Sequence, residues 1–268
     1  MLLATWEAAF RVVGWKPWVF PAPSHVLDAT LSMMNVRTAF GDPVGPNWPK
    51  PKSAPARAQE PWYKGLLFEA LGVSALRLGA GFAISILLGT LLGLAMWRWA
   101  ELDGFLGPLF LGLQTLPSVC WVPLAVLTLG LNETGILFVI VMGSFFAIAI
   151  ALRDGLKTIP PLYQRAGLMM GARGWKLYRY VLLPAAMPAM TSSLRQGFAF
   201  AWRSLLGAEL ILVVSNHGVG FLLETGRNFN DVAQVIAVMI VMVMVGMAVD
   251  RWLFARLQKR VHARFGLA

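Results

Sequence analysis

Apolar runs long enough to cross a lipid bilayer constrain the fold of this chain more than any other feature. A helix needs about 20 apolar residues to cross the hydrocarbon layer. Four runs meet this length, at residues 73–97, 134–152, 188–214 and 232–253. A fifth run, at 108–131, is interrupted by Pro117 and Pro123, which membrane helices tolerate at kinks. The sequence therefore predicts an all-α polytopic membrane protein with five firm transmembrane helices.

The composition agrees with a membrane protein and argues against a nucleic-acid-binding one. Of the 268 residues, 57% are hydrophobic and 13% are charged, and the mean hydropathy is +0.65. Soluble domains carry about 25% charged residues. The net charge of +10 does not indicate nucleic acid, because the basic residues lie between or after the apolar runs. The single cysteine, Cys120, excludes an intramolecular disulfide.

The positions of lysine and arginine predict the orientation of the helices, because short cytoplasmic loops carry an excess of both. Segment 153–187 contains Arg153, Lys157, Arg165, Arg173, Lys176 and Arg179. The tail after the last run contains Arg256, Lys259, Arg260 and Arg264. Two runs separate these regions, so we expect both in the cytoplasm. The basic residues between 50 and 64 fall on the outer side and depart from the rule.

We expect three parts along the chain. Residues 1–64 form an N-terminal segment and a Pro-rich outer loop, residues 65–257 form the transmembrane domain, and residues 258–268 form a basic cytoplasmic tail. Residues 1–20 predict either the end of a longer first helix whose upstream part is absent, or an amphipathic helix at the membrane interface. The Pro-rich stretch 42–62 predicts an extended loop.

The stretch RAGLMMGARGWKLYRYVLLPAAMP, residues 165–188, predicts two short helices within the cytoplasmic loop. Good helix formers occupy both halves, and Gly171 and Gly174 predict a break between them. An ordinary interfacial helix whose arginines face lipid phosphates is one interpretation of this pattern.

The spacing in the loop resembles the cytoplasmic signature of permease subunits of ABC importers. That pattern is Glu-Ala-Ala, three residues, Gly, nine residues, Ile, one residue and Leu-Pro. The matching positions are Ala166, Gly167, Gly171, Val181, Leu183 and Pro184. Arg165 stands where the family usually has glutamate. A contact with the partner built around that glutamate is therefore not expected.

Other segments are similar to the nitrate, sulfonate, taurine and bicarbonate branch of that family. They are LPSVCWVPLAVLTLGLNET at 116–134, LRQGFAFAWRSLLGAEL at 194–210 and HGVGFLLETGRNFNDVAQV at 217–235. The residues around Trp6 and Pro21 also resemble the end of the first span of this branch and the residues that follow it. The resemblance covers nearly the whole chain except the region around 42–62.

This resemblance implies a type I ABC importer permease fold and a non-catalytic subunit of the bacterial inner membrane. Such permeases usually form a pore from two copies, which predicts a homodimer. Two copies of a separate ATPase dock on the loop, and a periplasmic or lipid-anchored binding protein delivers the solute. The implied ATPase-coupling residues are Arg165, Ala166, Gly167, Gly171, Ala172, Val181, Leu183 and Pro184. The chain contains no G-x-x-x-x-G-K-[ST] loop to hold nucleotide phosphates.

Helical spacing selects candidates for the translocation pathway within run 188–214. A 100° step per residue places Ser192, Gln196 and Arg203 on one stripe, with Glu209 towards its flank. An arginine at the centre of a membrane helix costs about 2.5–3.5 kcal/mol and normally faces the bundle interior or a water-filled cavity. Two interpretations follow, and they are compatible with each other. In the first, Arg203 forms a structural ion pair, either with Glu209 or with a residue of another helix. In the second, these four residues line a pathway for a small anionic solute.

Other function classes are less well supported by the sequence. A self-sufficient secondary transporter or channel predicts internal repeats with broken helices, and none is evident. An intramembrane enzyme needs nucleophiles or metal ligands within the spans. The methionines of run 232–253 point around several faces, and the three histidines lack ligand spacing, so we expect no metal and no cofactor. Sulfonates, taurine, nitrate, cyanate, bicarbonate and pyrimidine-type molecules all remain candidate solutes.

Overall fold

The computed structural model describes residues 2–14, 16, 19–34, 65–212 and 217–264. Its helices are α1 (Leu2–Val13), α2 (Pro23–Met33), α3 (Leu66–Arg98), α4 (Ala100–Thr115), α5 (Trp121–Leu129), α6 (Glu133–Lys157), α7 (Pro161–Met169), α8 (Trp175–Leu177), α9 (Leu183–Ile211), α10 (Val219–Asn228), α11 (Val232–Val249) and α12 (Ala255–Arg264). Two π-helical turns, Tyr178–Leu182 and Asp250–Phe254, lead into α9 and α12. No strand occurs in these residues, and the predicted all-α class is confirmed. The Pro-rich stretch 42–62 lies outside the described residues.

Three of the five predicted spans meet the length and hydropathy expected of a membrane helix. Within the described residues, these are α3, α6 and the continuous helical segment Val232–Val261. The pair Ala100–Thr115 and Ser118–Leu129 meets it only when its two halves are counted together, as a broken span or a re-entrant loop. Helix α9 has 29 residues but does not meet the length and hydropathy criteria for a membrane span. Its arginines, its glutamate and its serines lower the hydropathy of that helix.

Proline chemistry explains the bend between α4 and α5. The two halves meet at 95°. Leu116 has an extended backbone with ψ 127°, and Pro117 follows with ψ 134°. A proline ring disfavours helical conformation in the residue before it, so α4 cannot continue through Leu116. Pro123 lies in the first turn of α5, where its missing N–H costs little.

Helices α3 and α6 approach closely because small residues of α3 recur every four positions at the contact. Gly81, Ser85, Gly89 and Gly93 form this stripe. A Cβ atom at Gly93 would lie 2.7 Å from the carbonyl oxygen of Ala149. The hydroxyls of Ser85 and Ser144 are hydrogen-bonded at 2.8 Å. Small residues of this kind let membrane helices pack backbone to backbone.

The first of two compact units comprises Met1–Arg77 and Leu206–Val245. Its buried core consists of Val26, Met33, Leu67, Ala70, Val219, Leu222, Ala237 and Val238. Helix α1 has 12 residues, and Arg11 pairs with Glu7 at 3.0 Å on its surface. The two interpretations of residues 1–20 both remain predictions.

The second unit comprises Leu78–Leu205 and Gly246–Ala268. Helix α6 is the most enclosed of the three helices that meet the membrane-span criteria, with 61% of its most apolar stretch buried inside the protein. An aromatic cluster of Phe110, Phe145 and Phe146 packs there beside Met96, which is 1% exposed. The enclosed α6 therefore provides the wall against which the α4–α5 bend is held.

Candidate functional site

The loop segment, defined here as residues 161–184, contains the implied coupling residues. It consists of α7, α8, the first π-helical turn and the start of α9. Pro161 is the first residue of α7. A backbone N–H at this position would have no partner within the helix, so proline is tolerated there. Pro184 lies in the first turn of α9, and Leu183 before it is 44% exposed. The two predicted short helices are present, with the break at Gly171 and Gly174.

Gly171 closes α7 in a Schellman motif, a common way of ending a helix. The backbone N–H of Ala172 donates to the oxygen of Gly167, and that of Gly171 donates to the oxygen of Leu168, both at 3.0 Å. This pair of bonds places Gly171 at φ +80°, a left-handed conformation that glycine adopts without steric cost. No atom lies within 4 Å of a Cβ placed at Gly171. Within the described residues, glycine is therefore favoured at this position by its backbone conformation and not by a close contact with another residue.

Gly167 allows the second half of the loop segment to pack directly on α7. A Cβ atom there would lie 2.7 Å from Leu177 Cδ1 and 3.0 Å from Val181 Cγ2. Gly167 is the buried residue of α7, and Leu177 is 7% exposed. The signature positions Gly167 and Val181 thus meet at one contact, which fixes α7 against the π-helical turn.

The rest of α7 is exposed and combines apolar with basic character. Leu162, Met169 and Met170 are 72%, 89% and 78% exposed, and Tyr163 is 54% exposed. Arg165 and Ala166 lie on the same exposed helix, and Ala172 is half-buried beyond it. An exposed apolar patch rimmed by polar groups is typical of a protein interaction site.

Glu209, one of the four predicted pathway residues, is buried in an ion pair with a different helix. Its side chain is 1% exposed, and it pairs with Arg77 Nη1 at 2.8 Å. Ser74 Oγ and the Gly220 N–H donate to the same carboxylate at 2.8 and 3.0 Å. The predicted Arg203–Glu209 ion pair is therefore wrong. Six residues of α-helix turn through about 600°, which points the two side chains in different directions.

Arg195 also has an acidic partner. Its Nε and Nη2 donate to the two carboxylate oxygens of Asp250 at 2.6 and 2.7 Å, and its Nη1 donates to Gln258 Oε1 at 3.2 Å. Two parallel bonds of this kind fix the orientation of both groups. This contact joins α9 to the second π-helical turn and to α12.

Arg203 is oriented by its own helix. Its Nε donates to the Ala199 oxygen at 3.1 Å, and its guanidinium carbon lies 4.6 Å from the centroid of the Phe200 ring. Within the part of the chain that the structure describes, no carboxylate pairs with it. Ser192, Gln196 and Arg203 are all exposed along α9, as one helical stripe requires.

A cavity of about 320 Å³ lies beside Arg203. Its lining comes from residues 113–119 and Trp121 at the α4–α5 bend, from Met142 and Gly143 on α6, and from Phe200 and Arg203 on α9. Ser192, Gln196 and Glu209 are not part of this lining. A Cβ at Gly143 would collide with Ser204 Oγ, so α6 and α9 are in close contact at the cavity edge.

The polar lining residues Gln114, Thr115 and Ser118 were missed by sequence reasoning. They lie on a different segment from Arg203, and helical periodicity relates only residues of one helix. The proline that stops α4 at Leu116 was visible in the sequence and marks where this segment turns. The sequence did not show that this segment would lie beside Arg203.

Comparisons with known proteins give consistent results. The family model described as "Binding-protein-dependent transport system inner membrane component" matches residues 85–263. A putative ABC transporter permease protein of Methanocaldococcus jannaschii, MJ0413, is 32% identical over 189 residues, which is 70% of each chain. The taurine transport system permease protein TauC of Escherichia coli is 25% identical over 97% of this chain and 86% of its own. The nitrate import permease protein NrtB of a Synechocystis species is 28% identical over 94% and 83%.

A solved structure supports the fold. The inward-facing MetNI methionine ABC transporter matches with a TM-score of 0.55 and 18% sequence identity, covering 73% of this chain and 94% of the MetNI chain. At this identity, the match concerns the fold, which is that of a type I ABC importer permease. The family predicted from the loop signature and the branch predicted from the segments 116–134, 194–210 and 217–235 are confirmed by the comparisons. Because the family model matches more than half of the chain, this multi-pass membrane protein belongs to the binding-protein-dependent transport system inner membrane components.

Proposed function

We propose that the chain is the permease subunit of an ATP-driven importer in the bacterial inner membrane and carries a small anionic solute. The names of TauC and NrtB assign them taurine and nitrate, both of which carry a negatively charged oxygen group. A positive group that lines a cavity and that no acidic side chain neutralises is suited to an anion pathway. Among the residues that the structure describes, Arg203 has both properties.

The observation that carries this proposal is the difference between the three ionisable residues of α9. Arg195 is paired with Asp250, and Glu209 is paired with Arg77. In the described part of the chain, Arg203 has no acidic partner, and its side chain borders the cavity. An arginine is costly within a membrane unless water or a ligand reaches it. A passing anion supplies that ligand, and the stripe with Ser192 and Gln196 extends the polar path along α9.

The loop segment is proposed as the docking site of the ATPase. Its exposed methionines and leucine offer an apolar surface, while Gly167 and Gly171 fix the shape that presents them. Arg165, in place of the family's glutamate, gives this contact a positive centre. The complete importer would contain two ATPase copies, a second copy of this permease and a periplasmic or lipid-anchored binding protein.

The test is ATP-dependent uptake by the assembled importer in proteoliposomes, with nitrate and taurine as the first probes. We expect Arg203→Gln to assemble normally and to lower uptake about tenfold or more, because a hydrogen bond to a charged group contributes about 1.5–3 kcal/mol. Arg227→Gln is the matched control, since Arg227 is exposed on α10 and pairs with Glu224 at 2.7 Å. Uptake by Arg203→Gln at the wild-type rate contradicts the pathway role. Uptake without ATP indicates a self-sufficient transporter or channel.

A further inference from the structure

We infer that the last helix of the chain binds the phosphate groups of anionic phospholipids at the membrane surface. The residues that bind them are Arg256, Lys259 and Arg260, which form the basic face of α12. This inference goes beyond the proposed function, because it concerns the lipid around the importer and depends on neither the solute nor the ATPase. The position, the charge and the support of the basic face each favour it.

The basic face lies just beyond the apolar part of the last membrane helix. Helix α12 is the end of the continuous helical segment Val232–Val261, and the apolar run ends at Leu253. At 1.5 Å per residue, Arg256 and Arg260 lie about 5 and about 10 Å further along the helix. The headgroup layer extends roughly 5–8 Å beyond the hydrocarbon core on each side. In a helix that crosses close to the bilayer normal, the basic face therefore begins at the depth of the lipid phosphates.

Exposed apolar residues directly before the basic face mark the membrane interface. Trp252 and Leu253 are 67% and 57% exposed. Tryptophan is enriched where the hydrocarbon layer meets the headgroups. The guanidinium carbon of Arg256 lies 5.6 Å from the centroid of the Trp252 ring, within the range of a cation–π contact. A surface that joins an exposed interfacial tryptophan to a cation fits a lipid headgroup better than a soluble acidic partner.

The positive charge of the basic face is not neutralised by the described part of the protein. Other basic residues of the same compact unit have acidic partners, such as Arg153 with Asp103 at 2.9 Å and Arg195 with Asp250 at 2.6 Å. Among the residues that the structure describes, none of the three cations of the basic face has one. Helix α12 contains no acidic residue. Clusters of basic residues beside a membrane helix attract anionic headgroups.

The other side of α12 is fixed to the protein. Phe254 and Val261 are 3% and 6% exposed, and Gln258 accepts a hydrogen bond from Arg195 at 3.2 Å. Residues spaced by three and four positions share one side of a helix, so the basic face is directed away from these contacts. A surface that is already held in place loses less conformational freedom when it binds a ligand. The three cations can therefore contact the same lipid phosphates.

The test measures lipid binding to the purified permease–ATPase complex in detergent. Phosphatidylglycerol, cardiolipin and phosphatidylcholine with matched acyl chains are titrated into the micelles, and the bound lipids are counted by native mass spectrometry. We expect phosphatidylglycerol and cardiolipin to bind at a lower mole fraction than the zwitterionic phosphatidylcholine. A Lys or Arg near an anionic surface favours binding about fivefold, so Arg256→Gln combined with Arg260→Gln should weaken the tightest phosphatidylglycerol binding about twentyfold.

Further variants separate the charge of the basic face from its packing. Arg256→Lys combined with Arg260→Lys keeps the charge and should retain most of the phosphatidylglycerol binding. Arg11→Gln combined with Arg227→Gln is the matched control, because it also removes two exposed arginines, each of which pairs with a glutamate. That control should bind phosphatidylglycerol like the wild type. Lys259→Gln alone, with an expected loss of about fivefold, replaces the double glutamine variant if size-exclusion chromatography shows that the latter does not assemble.

Four outcomes would overturn the inference. Equal binding of phosphatidylglycerol and phosphatidylcholine by the wild type shows that the charge of the headgroup is not recognised. Full phosphatidylglycerol binding by the variant without Arg256 and Arg260 places the lipid elsewhere, and an equal loss in the control shows only an effect of net charge. Displacement of phosphatidylglycerol by a soluble glutamate-rich peptide, lost in the same variant, shows that the basic face fits an acidic protein surface instead of a lipid.

Discussion

Removing Arg77 should destabilise this protein strongly, because it leaves the Glu209 carboxylate buried without its counter-charge. Both side chains are almost fully buried, at 6% and 1% exposure, and their atoms are 2.8 Å apart. Removing one partner of a buried ion pair costs about 3–5 kcal/mol, whereas replacing the whole pair with apolar or neutral groups is often nearly neutral. We therefore expect a large loss for Arg77→Met and a partial recovery for Arg77→Met combined with Glu209→Gln.

The surrounding contacts explain why the double variant should recover. The Val219 N–H donates to Ser74 Oγ at 2.9 Å, and the Gly220 N–H donates to the Glu209 carboxylate at 3.0 Å. These bonds cap the first turn of α10, whose own N-cap residue offers no side-chain bond. A glutamine at position 209 keeps a carbonyl oxygen for the Gly220 N–H while removing the charge. The cap therefore survives in the double variant.

The assay is the thermal transition of the detergent-solubilised protein, followed by size-exclusion chromatography. A change of 1 kcal/mol shifts the transition by about 2–4 °C for a domain of this size, so Arg77→Met should lose about 6–20 °C. Arg11→Met is the matched control, because Arg11 pairs with Glu7 on the exposed surface of α1 and its side chain is 75% exposed. We expect no shift beyond experimental error for that variant. The reasoning is refuted if Arg77→Met melts with the wild type, or if the double variant is no more stable than the single one.

Three further predictions follow from the loop segment and the helix contacts. Gly171→Leu should insert normally but lose solute-stimulated ATPase activity in the importer, while Gly171→Asn should retain it, since asparagine tolerates positive φ. Cysteines introduced singly at 155–180, with Cys120 replaced by serine, should react with a membrane-impermeant reagent only from the cytoplasmic side; labelling from outside contradicts the orientation. Gly93→Leu should overpack against α6 and lose about 1–3 kcal/mol of stability, which lowers the thermal transition, whereas Gly72→Leu should not, because no atom lies within 4 Å of a Cβ there. Equal effects of the two would argue against the close α3–α6 contact.

The sequence alone determined the features that arise within one segment. Apolar length predicted α3, α6 and the last membrane helix, because burying a backbone in lipid requires a helix of about that length. Gly171 could be placed at a turn, because the residues around it favour helix and glycine permits the conformation that ends one. The family was also recognisable, since its signature lies within about 20 residues of one loop.

Only the tertiary structure decided which distant residues meet. Glu209 could be identified as costly to bury, but its partner Arg77 lies 132 positions away, and no local period relates the two. Pro117 predicted a kink, while the 95° angle and the cavity that it forms with α6 and α9 depend on how those helices pack. Side chains on separate helices are brought together by the crossing of those helices, and hydrophobic periodicity reports only which face of each helix is apolar. Which charged residues of α9 are neutralised by a partner on another element was therefore decided by the fold.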